Sequence, residues 1–133
     1  SGHMTAQYTQ ASIVSELKRL AVPASVDSIP SSAMQEDHVA MGWSAARKLR
    51  RAIDGLMRVV AIELLTAARG LDLRCAALGP APAPVTAAVV AALRQHVDGP
   101  GPDRYLASEI EHAVRLTGDG TLLAAARAVT EIR

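Results

Sequence analysis

The run Ala46-Arg47-Lys48-Leu49-Arg50-Arg51-Ala52-Ile53-Asp54-Gly55-Leu56-Met57-Arg58-Val59-Val60 decides the fold class. Ala46, Leu49, Ile53, Leu56 and Val60 recur at alternating steps of three and four, the seam of a coiled-coil-like helix. Arg47, Lys48, Arg50, Arg51 and Asp54 lie opposite that seam. No proline occurs from about residue 37 to residue 68, so one helix is predicted over the whole span. Such a helix is on the order of 45 Å long, too long for a compact domain of this size to cover. Past Val59 the polar face nearly disappears, which predicts burial on every side. Cover from outside the chain is therefore expected. The apolar stretch 59–68 is roughly half the length needed to cross a bilayer, and Glu63 sits in its middle. A buried core helix, with no membrane partner, is the reading.

Working outward, Ile13, Val14, Leu17 and Leu20 stand at helical spacing and predict a helix over about 5–20. Ser1-Gly2-His3-Met4 reads as a vector and protease scar, set apart as residues 1–4. Pro23 and Pro30 bracket an extended linker. Ser32 followed by Gln35 fits a capping box opening the long helix, and Gly70 is its expected stop. A Pro/Ala/Gly spacer at 78–84 separates the long-helix part, 5–78, from a smaller tail, 79–133. The tail reads as a helix over about 85–97, a Gly-Pro turn at 99–102, and a short helix to about 116 opened by a Ser108/Glu111 capping box. Gly118-Asp119-Gly120 then turns the chain into a last helix, about 121–132. No alternating strand pattern appears. The class is all-α: a long-helix bundle segment followed by a smaller helical tail.

The bulk numbers agree. A chain of 133 residues with a formal charge of +1 is one compact domain or a piece of a larger one, with no general pull toward nucleic acid or membrane. Tyr8, Trp43 and Tyr105 are the only aromatic residues and there is no Phe, so the apolar mass is aliphatic and favours close helix packing. Cys75 is the single cysteine and cannot form an internal disulfide, which suits a reducing cytoplasm.

The densest polar chemistry lies at Gln35-Glu36-Asp37-His38, at the predicted start of the long helix. Two carboxylates, an imidazole and an amide there read either as helix capping or as a ligand site. Elsewhere, Glu109-Ile110-Glu111-His112 contains one Glu-x-x-His, but a di-metal bundle needs that motif twice with two more carboxylates, so no metal is expected. Arg47-Lys48-Leu49-Arg50-Arg51 lacks interleaved aromatics and a helix-turn-helix, and reads as a solvated or subunit-facing charged face.

The linker and the polar run together, Pro23-Ala24-Ser25-Val26-Asp27-Ser28-Ile29-Pro30 followed by Gln35-Glu36-Asp37-His38-Val39, closely resemble the histidine and aromatic amino-acid ammonia-lyases. The likeness continues through Gly42-Trp43-Ser44-Ala45-Ala46-Arg47-Lys48-Leu49-Arg50, Ala61-Ile62-Glu63-Leu64 and Arg69-Gly70-Leu71-Asp72-Leu73-Arg74, and covers nearly all of residues 5–133. Gln-Glu-Asp-His is similar to the histidine-specific branch. The resemblance implies the C-terminal portion of an enzyme that converts L-histidine to urocanate and ammonia in the cytoplasm. It implies a homotetramer built on a long-helix bundle, with sites assembled from more than one subunit. It also implies a methylidene-imidazolone electrophile, formed by cyclising an internal Ala-Ser-Gly. No Ala-Ser-Gly occurs in this sequence, so the cofactor would come from an upstream part and this chain alone would be inactive.

By the same resemblance, Glu36 matches the family's active-site glutamate, a catalytic and substrate-binding residue, with Gln35 beside it as a supporting substrate contact and His38 as a structural hydrogen-bonding group. Met34 stands where many relatives have Asn, and Ala40 where many have Ser. A stand-alone helical assembly or regulatory module derived from the lyase tail is the alternative, and a small DNA-binding protein a third reading.

Overall fold

A computed structural model describes residues 2–131. Within them lie five α-helices: α1 Gly2–Leu20, α2 Gly42–Leu78, α3 Pro84–Arg94, α4 Ala107–Gly118 and α5 Thr121–Arg127. The chain is all-α, as the heptad-like seam predicted. Among the described residues no helix is long and apolar enough to cross a membrane.

α2 is the backbone of the molecule. Its 37 residues extend about 55 Å. The helix begins at Gly42 rather than near Asp37 and does not stop at Gly70. Glycine in a helix interior costs about 1 kcal/mol relative to alanine, and the turn beyond it supplies anchors that outweigh this. Chief among them is the Asp72 carboxylate, which accepts from the Arg94 guanidinium at 2.6 Å. The true stop is Gly79, at φ +86°, whose N–H closes on the Cys75 carbonyl at 2.9 Å, with Pro80 following.

α1 runs antiparallel to the first two-thirds of α2. The pairing is read from Lys48 reaching the Val22 carbonyl, Gln10 Nε2 donating to the Val59 carbonyl at 2.9 Å, and His3 Nε2 meeting Thr66 Oγ1 at 3.0 Å. Gly55 leaves room for Leu17 and Ile13 of α1 against α2. A Cβ there would stand 2.9 Å from Leu17 Cδ2 and 3.3 Å from Ile13 Cγ2. The Arg51–Glu16 ion pair at 2.6 Å flanks the contact, but both side chains are well exposed and such pairs contribute about 1 kcal/mol at most. Apolar contact holds the hairpin.

The tail helices close over the C-terminal half of α2. Ala61, Leu65 and Ala68 of α2 form one buried cluster with Leu93, Val97, Ala113, Leu116 and Leu122. This core lies on one side only. Ala61, Ile62, Leu65 and Ala68 are buried while Glu63, Thr66 and Ala67 are exposed, so the predicted burial on every side is not present within the chain. The seam itself is bare: Leu49, Ile53 and Leu56 are each more than half exposed.

Both predicted capping boxes are absent. Ser32 has φ +53°, not the extended backbone an N-cap needs, and Gln35 N–H donates to its carbonyl oxygen instead. α4 opens at Ala107 without a side-chain cap, and the Glu111 carboxylate turns to Arg58. α3 ends at Arg94, three residues short of the expected end. α5 spans Thr121–Arg127, and Ile132 of the predicted last helix lies outside the described residues.

Candidate active-site segment

Between α1 and α2 the chain makes a polar excursion, residues 21–41. A 3-10 turn at Ala24–Val26, two short extended strips and a tight turn at Ser32–Met34 organise it. Ser31 N–H donates to the Glu36 carbonyl at 2.8 Å, and Glu36 N–H returns to the Ser31 carbonyl at 3.3 Å, an isolated antiparallel bridge. Further from the turn, Val39 N–H donates to Ser28 Oγ at 2.9 Å while the Ser28 hydroxyl lies 3.2 Å from the Val39 carbonyl. The excursion is thus a small hairpin pinned at two levels in one register.

Its tip is unusual. Ser32, Ala33 and Met34 all carry positive φ, +53°, +53° and +69°. Each such non-glycine residue costs about 1–3 kcal/mol. Asn would tolerate this region far better than Met34 does. The Met34 side chain is exposed.

The four residues expected at a helix N-terminus are therefore not at one. Gln35, Glu36, Asp37 and His38 precede Gly42 by four to seven positions and are all exposed. Gln35 and Glu36 directly follow the turn, and Glu36 closes it through its backbone. No hydrogen bond or ion pair engages their side chains, nor that of His38, among the described residues. His38 instead lines an open cleft of about 490 Å³ with Pro23, Ala24, Asp27, Met41 and Ala45. Glu36 and Gln35 do not line it. A carboxylate and an amide held at a fixed backbone, free of internal partners, can accept from and donate to a cationic or N–H-bearing ligand.

The other candidate clusters are already engaged. Glu109 pairs with Arg104, Glu111 with Arg58, and His112 Nδ1 donates to the His96 carbonyl at 3.0 Å. Among the described residues no group of three His, Cys, Asp or Glu is placed to hold a metal ion. Within the basic run, Lys48 reaches the Val22 carbonyl just past α1 and Arg51 pairs with Glu16 of α1.

Sequence reasoning missed the Ser28–Val39 clasp and the left-handed turn. Ser28 between two prolines was a usable signal for a backbone-binding hydroxyl. Ser-Ala-Met carries no glycine or asparagine and offered none for the turn.

With this geometry in place, similarity to known proteins is informative. The chain belongs to the aromatic amino acid lyase family, whose family model matches residues 1–95. Within that family it is 63% identical over 131 residues to a histidine ammonia-lyase of Streptomyces griseus and 55% identical over 130 residues to one of Symbiobacterium thermophilum. These alignments cover 98% and 97% of this chain but 25% of each relative, so the chain spans about a quarter of their length. The fold is shared with the crystal structure of histidine ammonia-lyase from Trypanosoma cruzi, at a TM-score of 0.88 and 34% identity, covering 98% of this chain and 25% of that one. A tyrosine aminomutase from Streptomyces globisporus matches equally well, at a TM-score of 0.88 and 34% identity over the whole of this chain and 25% of its own.

Proposed function

We propose that this chain is a segment of a histidine ammonia-lyase, the complete enzyme eliminating ammonia from L-histidine to give urocanate in the cytoplasm. The 63% identity to the Streptomyces griseus enzyme across 98% of the chain carries this reading. The family match begins at residue 1, so we read Ser1-Gly2-His3-Met4 as part of the family's own sequence rather than a scar.

In this reading the segment has two tasks. The bare seam of α2 packs against other subunits of a tetramer, since exposed Leu49, Ile53 and Leu56 would otherwise face water. Glu36 contacts the substrate, its carboxylate accepting from the imidazole N–H or the amine, with the Gln35 amide supporting the same contact. The methylidene-imidazolone supplies the electrophile that activates the amine as a leaving group. Its Ala-Ser-Gly precursor is not among these residues, so nothing here builds it and the chain by itself is no catalyst. What this chain contributes is an unengaged carboxylate and amide on a pinned turn.

The test is Glu36→Ala in the complete enzyme, followed by urocanate absorbance. Turnover should fall strongly while the oligomer mass stays unchanged. Wild-type kinetics would remove Glu36 from the site.

A further inference from the structure

We propose that Ala33 is a positioning residue for Glu36, acting through the left-handed turn Ser32–Met34, and that Ser28 locks the same turn from outside. The inference rests on the assignment of Glu36 as a substrate contact.

Three consecutive residues with positive φ, none of them glycine, form an arrangement that L-amino acids avoid because Cβ crowds the following carbonyl. Packing within this chain does not impose it, for Ser32, Ala33 and Met34 are all exposed. Backbone closure does. Ser31 and Glu36 exchange both N–H···O bonds across the turn, and Ser28 takes both backbone groups of Val39 further out.

Glu36 is thus one of the two residues that close the turn. Were residues 32–34 to relax to right-handed geometry, the bridge would open and the Cα–Cβ direction of Glu36 would swing with it. Strain retained beside an unengaged side chain, with no packing within this chain to explain it, fits geometry held for that side chain.

Asparagine and valine are close enough in size to separate backbone preference from bulk. Asparagine accepts positive φ, whereas a β-branched residue resists it. In the complete lyase carrying this chain, Ala33→Asn should keep near-wild-type kinetics. Ala33→Val should lower turnover of L-histidine by about tenfold or more, in the same direction as Glu36→Ala and with unchanged oligomer mass. Because Ala33 acts through Glu36, valine should cost nothing further in a Glu36→Ala background. Equal losses for Asn and Val, or the same valine loss without Glu36, would overturn the proposal. Should Ala33→Val fail to assemble, Ser28→Ala against Ser28→Thr makes the same comparison, threonine keeping the hydroxyl. The Glu36→Ala enzyme alone separates the two layers: if it is impaired, the Asn/Val comparison decides on Ala33, and if it is wild-type, the site assignment fails first and this inference with it.

Discussion

Arg94 grips Asp72 with two nitrogens on one oxygen: Nε and Nη2 lie 3.0 and 2.6 Å from Asp72 Oδ2, while Nη1 donates to the Asp98 carbonyl at 3.0 Å. One guanidinium therefore ties the end of α2 to the end of α3 and to the turn beyond. Both side chains are mostly shielded, at 20% and 31% exposure, so this pair is worth more than a surface pair. Arg94→Ala leaves Asp72 partly shielded and unmatched. A loss of about 1–3 kcal/mol is expected in denaturant titration. Arg94→Lys should recover little of it, because an ammonium cannot reproduce the fork. Full recovery by lysine would reduce the clamp to simple charge.

Leu93 is almost completely buried in the cluster that joins α2, α3, α4 and α5. Leu93→Ala should destabilise the fold by about 2–5 kcal/mol, through lost burial plus the cavity left behind. Chemical denaturation of the two proteins side by side measures this. A change under 1 kcal/mol would mean that the tail collapses freely onto α2.

Gly70 lies inside α2 with nothing within 4 Å of the position a Cβ would take. Gly70→Ala should therefore stabilise the protein by about 0.4–1 kcal/mol, chiefly by restricting the unfolded chain. A destabilised variant would show that the complete protein packs another surface against this face.

The His3 imidazole is held below its ordinary value of 6.5, first by partial withdrawal from water, then by the Arg69 and Arg104 charges, with Glu109 opposing. A lowered histidine value means that the unfolded chain binds the proton more readily. The contribution is fully present above the unfolded value and is lost as pH falls through it toward the lower folded value. Melting temperature should drop on acidification from neutrality through that window, and His3→Gln should flatten the slope. An unchanged slope would place the acid sensitivity elsewhere.

The seam offers a test of assembly. Ile53→Glu puts a carboxylate on an exposed position that the chain itself leaves uncovered. If subunits meet there, sedimentation of the complete enzyme should show dissociation while helical content by circular dichroism persists. An intact oligomer would move the interface off this face.

The heptad-like run from Ala46 to Val60 determined the helical class and the dominance of one long helix, because apolar periodicity is a local property written in consecutive residues. The motif around Glu36 was equally legible as a family pattern. Tertiary structure decided the rest. Gly70 read as a stop because local propensity knows nothing of Asp72 being held by Arg94, 22 residues away. Glu36 and its neighbours read as a helix start because Ser-x-x-Gln satisfies a local rule. The backbone instead found its partners across a hairpin, between Ser31 and Glu36 and between Ser28 and Val39. Those closures hold Ser32, Ala33 and Met34 in a conformation that their own preferences oppose. Where the decisive energy is local the sequence speaks for itself; where it comes from groups far apart in the chain, only the folded arrangement brings them to one another.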